Sequence, residues 1–144
     1  MDLLTAKGNL VREIEQAGYQ ITYVKTLRGR VSHGTKICIL PQSVTRKSVY
    51  YTAHELYHAL EPRKSRHANV CEMKAEKFAQ KKLREMGVPV PRSSVVRGKR
   101  YVAMKVRRAI KRGVKELNEE VLNYISDYYV VDRLDGQYHI VKVG

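Results

Sequence analysis

The chain has 144 residues, with 28 Lys or Arg against 14 Asp or Glu, a formal charge of +14. That length suits one domain, or one domain with a small appendage, and can bury enough surface that a core needs neither disulfides nor metal. With 43% hydrophobic and 29% charged residues, whole-chain disorder, collagen-like sequence and coiled coil are excluded, and no apolar run approaches the roughly 18–20 residues that a membrane-spanning helix needs.

Leu3, Leu4, Leu10, Val11 and Ile14 recur at helical spacing and Gly18 stops the pattern, so a first helix is predicted over 3–17. The same segment is amphipathic rather than a basic stretch followed by an apolar block, so no signal peptide is expected. ITYVKT (21–26) and KICILP (36–41) read as two strands of a small sheet, paired as a hairpin across the turn-rich LRGRVSHG. A second helix should start after Ser43 or Thr45 as N-cap and run to Leu60, with Pro62 beyond its end and EPRKSRHAN as a polar loop. Residues 70–86 form a third helix with Val70, Met73, Ala75, Phe78, Ala79 and Leu83 on one face and Gly87 at its end. VPVPRSSVVRGKR reads as a linker, YVAMKVRRAIKR as a fourth helix broken by Gly113, and KELNEEVLNYISDYY as a fifth. YVVDRLDGQYHIVKV closes as a β-hairpin turning at Asp135-Gly136, a strong short hairpin signal.

His54-Glu55-Leu56-Tyr57-His58 is an HExxH motif in the middle of the second helix. Residues i and i+4 stack on one helical face with Cβ atoms about 5–6 Å apart, so both imidazoles can reach one metal ion. Glu55 is turned away from that line and suits a general base better than a ligand. Val49, Ala53, Leu56 and Leu60 should anchor the opposite face. A catalytic zinc site needs a third protein ligand and an open fourth position. A metzincin histidine would fall on Lys64 and its glycine on Glu61, which excludes that class. Glu72 and Glu76, again i and i+4, can supply a carboxylate from the third helix, and Glu61 and His67 lie in or beside the loop.

AHELYHAL followed by EMKAEKFAQKKL resembles the ImmA/IrrE metallopeptidases, whose pattern is AHELGH, a loop, then ExxA[N]xFAxxLL. Ala53, His54, Glu55, Leu56 and His58 match the first block; Glu72, Ala75, Phe78, Ala79 and Leu83 match the second. The resemblance covers about residues 1–90. It implies that His54, His58 and Glu72 hold Zn²⁺ and that Glu55 is the catalytic base, with Glu76 in the slot usually filled by Asn. It implies an intracellular endopeptidase whose partner is one specific protein, such as a transcriptional repressor of a phage or mobile element. Tyr57 departs from the family's glycine, the loop from His58 to Glu72 is short, and the usual LLMP ending reads LREMGVP.

Several residues carry weaker signals. His67 and Tyr51 are candidates for contacting substrate or the transition state, as zincins often use a nearby His or Tyr. Cys71 could offer a soft ligand, although its offset from Glu72 turns it away; His33 and His139 default to the surface. Cys38 and Cys71 lack CxxC spacing, which favours a reducing compartment, and cytoplasm is the expected location. Nine Lys/Arg and no acid lie between Arg97 and Lys115. Lys105, Arg108 and Arg112 share one helical face with Arg107 and Lys111 adjacent, a surface suited to polyanions such as nucleic acid. Helix, helix and hairpin is also the element order of a winged helix, but a solvated basic face fits equally.

The expected architecture is therefore an α+β, zincin-like minimal metallopeptidase domain over 1–90: helix, small sheet, HExxH helix, third-ligand helix. A basic helix-helix-hairpin extension follows over 91–144, either winged-helix-like or packed on the first domain. Two other functions fit the same residues: a DNA-associated protease resembling the SprT group, and a non-catalytic regulatory or nucleic-acid-binding protein on a zincin scaffold.

Overall fold

The structure, a computed structural model, describes residues 1–61 and 67–144. In chain order it comprises α1 (Leu3–Gln16), β1 (Gln20–Val24), β2 (Arg30–Ser32), β3 (Ile37–Pro41), α2 (Arg46–Leu60), α3 (Ala68–Glu85), α4 (Arg92–Lys111), α5 (Glu119–Ile125), β4 (Tyr129–Leu134) and β5 (Gln137–Lys142). The fold is α+β, as expected, with a mixed three-stranded sheet and a two-stranded sheet. Two compact units emerge: Met1–Arg63 with Lys74–Ser94, and Lys64–Met73 with Val95–Gly144. Pro62 and the centre of the polar loop lie outside the described residues.

In the first unit the helix starts follow from capping chemistry. The Asp2 carboxylate accepts the Thr5 N–H at 2.8 Å at the head of α1; this hydrogen bond also lowers the Asp2 pKa. Thr45 caps α2 in a reciprocal box with Ser48, each side chain accepting the other's backbone N–H at 3.1 and 2.9 Å. Two orphan donors are thereby satisfied, an arrangement worth about 1 kcal/mol per cap. Leu10 and Ile14 of α1, Val49, Ala53 and Leu56 of α2, and Leu40 of β3 are fully buried together, with α2 packed on both α1 and β3. Leu4 and Leu60, assigned by spacing to the apolar stripes, are instead exposed, because each sits in a terminal turn beyond the reach of the core. Lys7 is buried on α1 and donates to the carbonyls of Pro41 and Ser43, which fastens α1 to the β3–α2 connection. Its burial lowers the amine's pKa.

The expected β1–β3 hairpin is corrected. β1 pairs with β3 in parallel, Gln20 opposite Ile37 and Val24 opposite Pro41, and β2 pairs antiparallel on the other side, giving the order β1-β3-β2. The apolar ICIL run takes the centre because Cys38 and Leu40 need cover on both flanks. β2 has three residues, too few for alternation to be legible, yet it turns the connection into the crossover that a parallel pair requires.

In the second unit Met73 joins Val102, Ala103, Val106, Ala109, Val121, Ile125 and Tyr129 in a continuous core. α4 starts at Arg92, so most of the expected linker is helix. Pro91 precedes the first turn, where a missing N–H costs nothing, and Gly98, which read as flexible, is buried inside the helix. α5 is shorter than expected because the Asn118 side chain accepts the Val121 N–H at 3.1 Å and starts the helix there. The closing hairpin forms as expected: Asp135 and Gly136 both have positive φ, 53° and 78°, between the paired Leu134 and Gln137, the type I′ geometry that Asp-Gly favours. Among the described residues no helix is long and apolar enough to cross a membrane.

Candidate metal centre

The HExxH residues occupy the second half of α2, and α3 supplies the acidic residues that face them. His54 Nε2 and His58 Nε2 lie 3.1 Å apart. One carboxylate oxygen of Glu72 completes a group whose three ligand atoms all lie within 4.8 Å of one another. For two nitrogens about 2.0–2.1 Å from one tetrahedral ion the expected separation is roughly 3.3 Å, so the imidazoles already stand at the bite distance of a shared cation. Among the described residues this is the one group of three His, Cys, Asp or Glu so placed.

The ring of His54 is held from behind. Its Nδ1 lies 2.6 Å from Glu76 Oε2, a pair almost wholly withdrawn from solvent. Where Nδ1 donates its proton to this carboxylate, the Nε2 lone pair is directed at the ligand position. The other oxygen of Glu76 accepts the hydroxyl of fully buried Tyr50 at 2.8 Å, and the Gln80 amide donates to that hydroxyl at 3.4 Å. This is the carboxylate–histidine arrangement by which metal proteins fix the tautomer and orientation of a ligand. Two polar groups buried on facing helices would be costly without partners; here each supplies the other's.

His58 is held through its backbone. His33 Nε2 sits 2.8 Å from the carbonyl oxygen of His58 and 2.8 Å from that of Glu61, donating into the last turn of α2, where carbonyls lack intrahelical partners. His33 also stands edge-on to Tyr19, so its expected place as a plain surface residue is corrected. Tyr57, in place of the family's glycine, lies against His58 and Phe78 with ring centroids 5.8 and 5.7 Å away. Its ring therefore fills space between α2 and α3 rather than breaking the motif.

Glu55 is 7% exposed and is not a member of the ligand group, in keeping with its expected separation from the metal line. Its carboxylate acts on Cys38: burial and then the charge of Glu55 push that thiol up to about 12. Cys38 is thus a protonated core residue near neutral pH, not a thiolate ligand. Cys71 is half-buried and free of disulfides and stands outside the ligand group.

The remaining sequence candidates are placed as follows. Tyr51 is half-buried with its ring edge-on to Tyr50 at 6.1 Å, and His67 is exposed just before α3; neither belongs to the ligand group. His139 is exposed on β5, as expected. On α4, Arg107, Arg108, Lys111 and the following Arg112 are exposed, while Lys105 is half-buried. Lys105 lies over Tyr101 at 5.2 Å and Arg107 over Tyr129 at 5.7 Å, cation–π contacts that hold both side chains. Sequence reasoning missed the supporting roles of Tyr50, His33 and Glu76. The Glu72/Glu76 spacing and a tyrosine four residues before His54 were the available signals for two of them; His33 had none, being 25 residues from His58.

Compared with protein-family models, curated proteins and solved structures, the chain matches none.

Proposed function

We propose that the chain is a zinc-dependent endopeptidase of zincin type, in keeping with its resemblance to the ImmA/IrrE pattern. The observation that carries this reading is the pair of Nε2 atoms 3.1 Å apart with the Glu72 carboxylate beside them and Glu76 fixing the His54 tautomer. The donor set of two neutral nitrogens and one carboxylate fits zinc. Held by His54, His58 and Glu72, the ion would supply Lewis acidity toward a scissile carbonyl and bring the pKa of water toward about 7.

The chain's own residues do the rest. Glu55, adjacent to the first ligand and shielded from bulk water, takes the proton from the attacking water. It then returns that proton to the leaving amine, general acid–base work worth roughly 10²–10⁴-fold in rate. Glu76 and Tyr50 keep His54 from turning its protonated nitrogen toward the ligand position. His33 holds the final turn of α2, and with it the backbone of His58. The natural substrate is one specific intracellular protein, of the class of DNA-bound repressors, selected by docking on the strongly basic surface, which suits an acidic partner or the DNA on which such a partner sits; unstructured casein at high concentration stands in for its extended cleaved segment.

Glu55→Gln tests this reading, because it keeps size and removes the base. The expected result is metal content equal to wild type and cleavage of unstructured casein reduced by about 10²-fold or more. Full activity in Glu55→Gln would contradict it. A second reading, nucleic-acid binding by the C-terminal region, is favoured by one specific feature. Arg108, Lys111 and Arg112 are exposed, and no carboxylate among the described residues pairs with them.

A further inference from the structure

The β1–β2 loop ends at Gly29, immediately before β2, and β2 packs against α2. At Gly29 a Cβ atom would stand 2.7 Å from Cγ of Glu55, 3.1 Å from its Cδ and 3.2 Å from its Oε1. Carbon atoms in contact settle at about 3.5–4.0 Å, so no residue with a side chain fits there while Glu55 keeps its position. The backbone does not ask for glycine: positive φ occurs at Gly18, Gly87, Gly113 and Gly136, and Gly29 is not among them. Glycine is needed at this point for space, and the occupant of that space is the side chain of Glu55.

We propose that Gly29 is the positioning residue for Glu55, its missing side chain being the slot that fixes the rotamer of the carboxylate. The Glu55 side chain is 7% exposed, so the Gly29 backbone stands against a carboxylate already withdrawn from solvent. A carboxylate confined in this way keeps one direction before substrate arrives, the preorganisation that proton transfer to a fixed water requires. The inference rests on the reading of Glu55 as general base for its functional meaning, and on sterics alone for the slot itself.

A mutant cycle read by thermal unfolding separates the two. Gly29→Ala should lower Tm by about 3 °C or more in the wild-type background, an overpacking effect. It should cost as much beside Glu55→Gln, which keeps Cγ and Cδ. In the Glu55→Ala background the penalty should vanish or reverse, since alanine leaves the slot empty and Gly→Ala then only restricts the unfolded chain. An equal loss in all three backgrounds would mean a backbone role for Gly29 and would overturn the proposal, as would no loss in any.

The functional half is read with zinc content matched to wild type. For unstructured casein, Gly29→Ala should lower kcat by about tenfold or more and leave KM within about twofold, since a displaced base acts on the chemical step. Unchanged kcat would overturn the positioning role. A wild type that leaves casein intact would count against the peptidase reading, and the unfolding cycle would still decide for or against the slot.

Discussion

The α2–α3 centre and the α4 surface use charge in opposite ways. At the centre the ionisable side chains are buried and closely packed: His54 against Glu76, Glu76 against Tyr50, and Glu55 against the backbone at Gly29. At the C-terminal end of α4 the cations Arg108 and Lys111, and Arg112 just beyond it, are exposed, and no carboxylate among the described residues pairs with them. Burying an ion is expensive unless geometry returns the cost, so a buried pair on facing helices marks a place where orientation matters. Exposed cations cost little to keep and interact over a distance set by salt, about 8–10 Å under ordinary conditions. On the proposed function the first region would select by geometry and the second by field. Substitutions should therefore have sharp, local effects at the centre and graded, salt-dependent effects on α4.

The largest effect after loss of the ligands themselves is expected at Glu76. Glu76→Gln leaves a single acceptor for two donors and removes the charge behind His54. Zinc affinity measured by competition with a chelator should fall about 10–100-fold, with helix content unchanged by circular dichroism. An affinity equal to wild type would show that the pair serves packing only, and would erase the proposed contrast between the two regions.

A more graded effect is expected on α4. Binding of a duplex DNA oligomer should weaken as salt rises, and replacing Arg108, Lys111 and Arg112 by Ala should reduce the slope of log K against log salt by about 0.9 per side chain removed. A slope that does not change would place any nucleic-acid contact elsewhere. Zinc content should be unaffected in this variant; if it falls, the two regions are not separable as described.

Cys38 should give the smallest effect. In the native protein at neutral pH, half-buried Cys71 should react with a thiol reagent and Cys38 should react only on unfolding, because its thiolate is disfavoured up to about 12. The sign for stability follows. Below the unfolded value of 9.0 the thiol is protonated in both states; between there and about 12 the unfolded thiol ionises and the folded one does not, so stability falls as pH rises. Cys38→Ala should show less of that alkaline slope, and an identical slope would mean that Cys38 is not held protonated by the fold.

Much of this was legible in the sequence, for reasons that differ by element. The starts of α1 and α2, the HExxH face and the Asp135-Gly136 turn depend on side chains within a few residues of one another, and local spacing records them. The strand pairing depended on which run takes the centre of the sheet, and the three-residue β2 carries too little pattern to show that β1 and β3 are not a hairpin. Residues 92–100 read as a linker because Ser, Gly and Pro are turn formers, whereas Pro91 precedes the helix and Gly98 is packed inside it. At the site, His54 and His58 were legible from i, i+4 spacing, which left Glu72 and Glu76 both open; the family resemblance chose Glu72, the one that lies with the histidines. The supports were not: His33 on His58, Gly29 against Glu55 and Tyr50 on Glu76 join residues 25 or more positions apart, and Gly29 acts through a missing side chain.

The central claim is that His54, His58 and Glu72 form one metal site, and metal content tests it most directly. Purified wild type supplied with zinc and then dialysed should retain about one ion per chain, while His58→Ala and Glu72→Ala, folded by circular dichroism, should retain none. Wild type that stays metal-free, or a Glu72→Ala variant that keeps its zinc, would contradict the account.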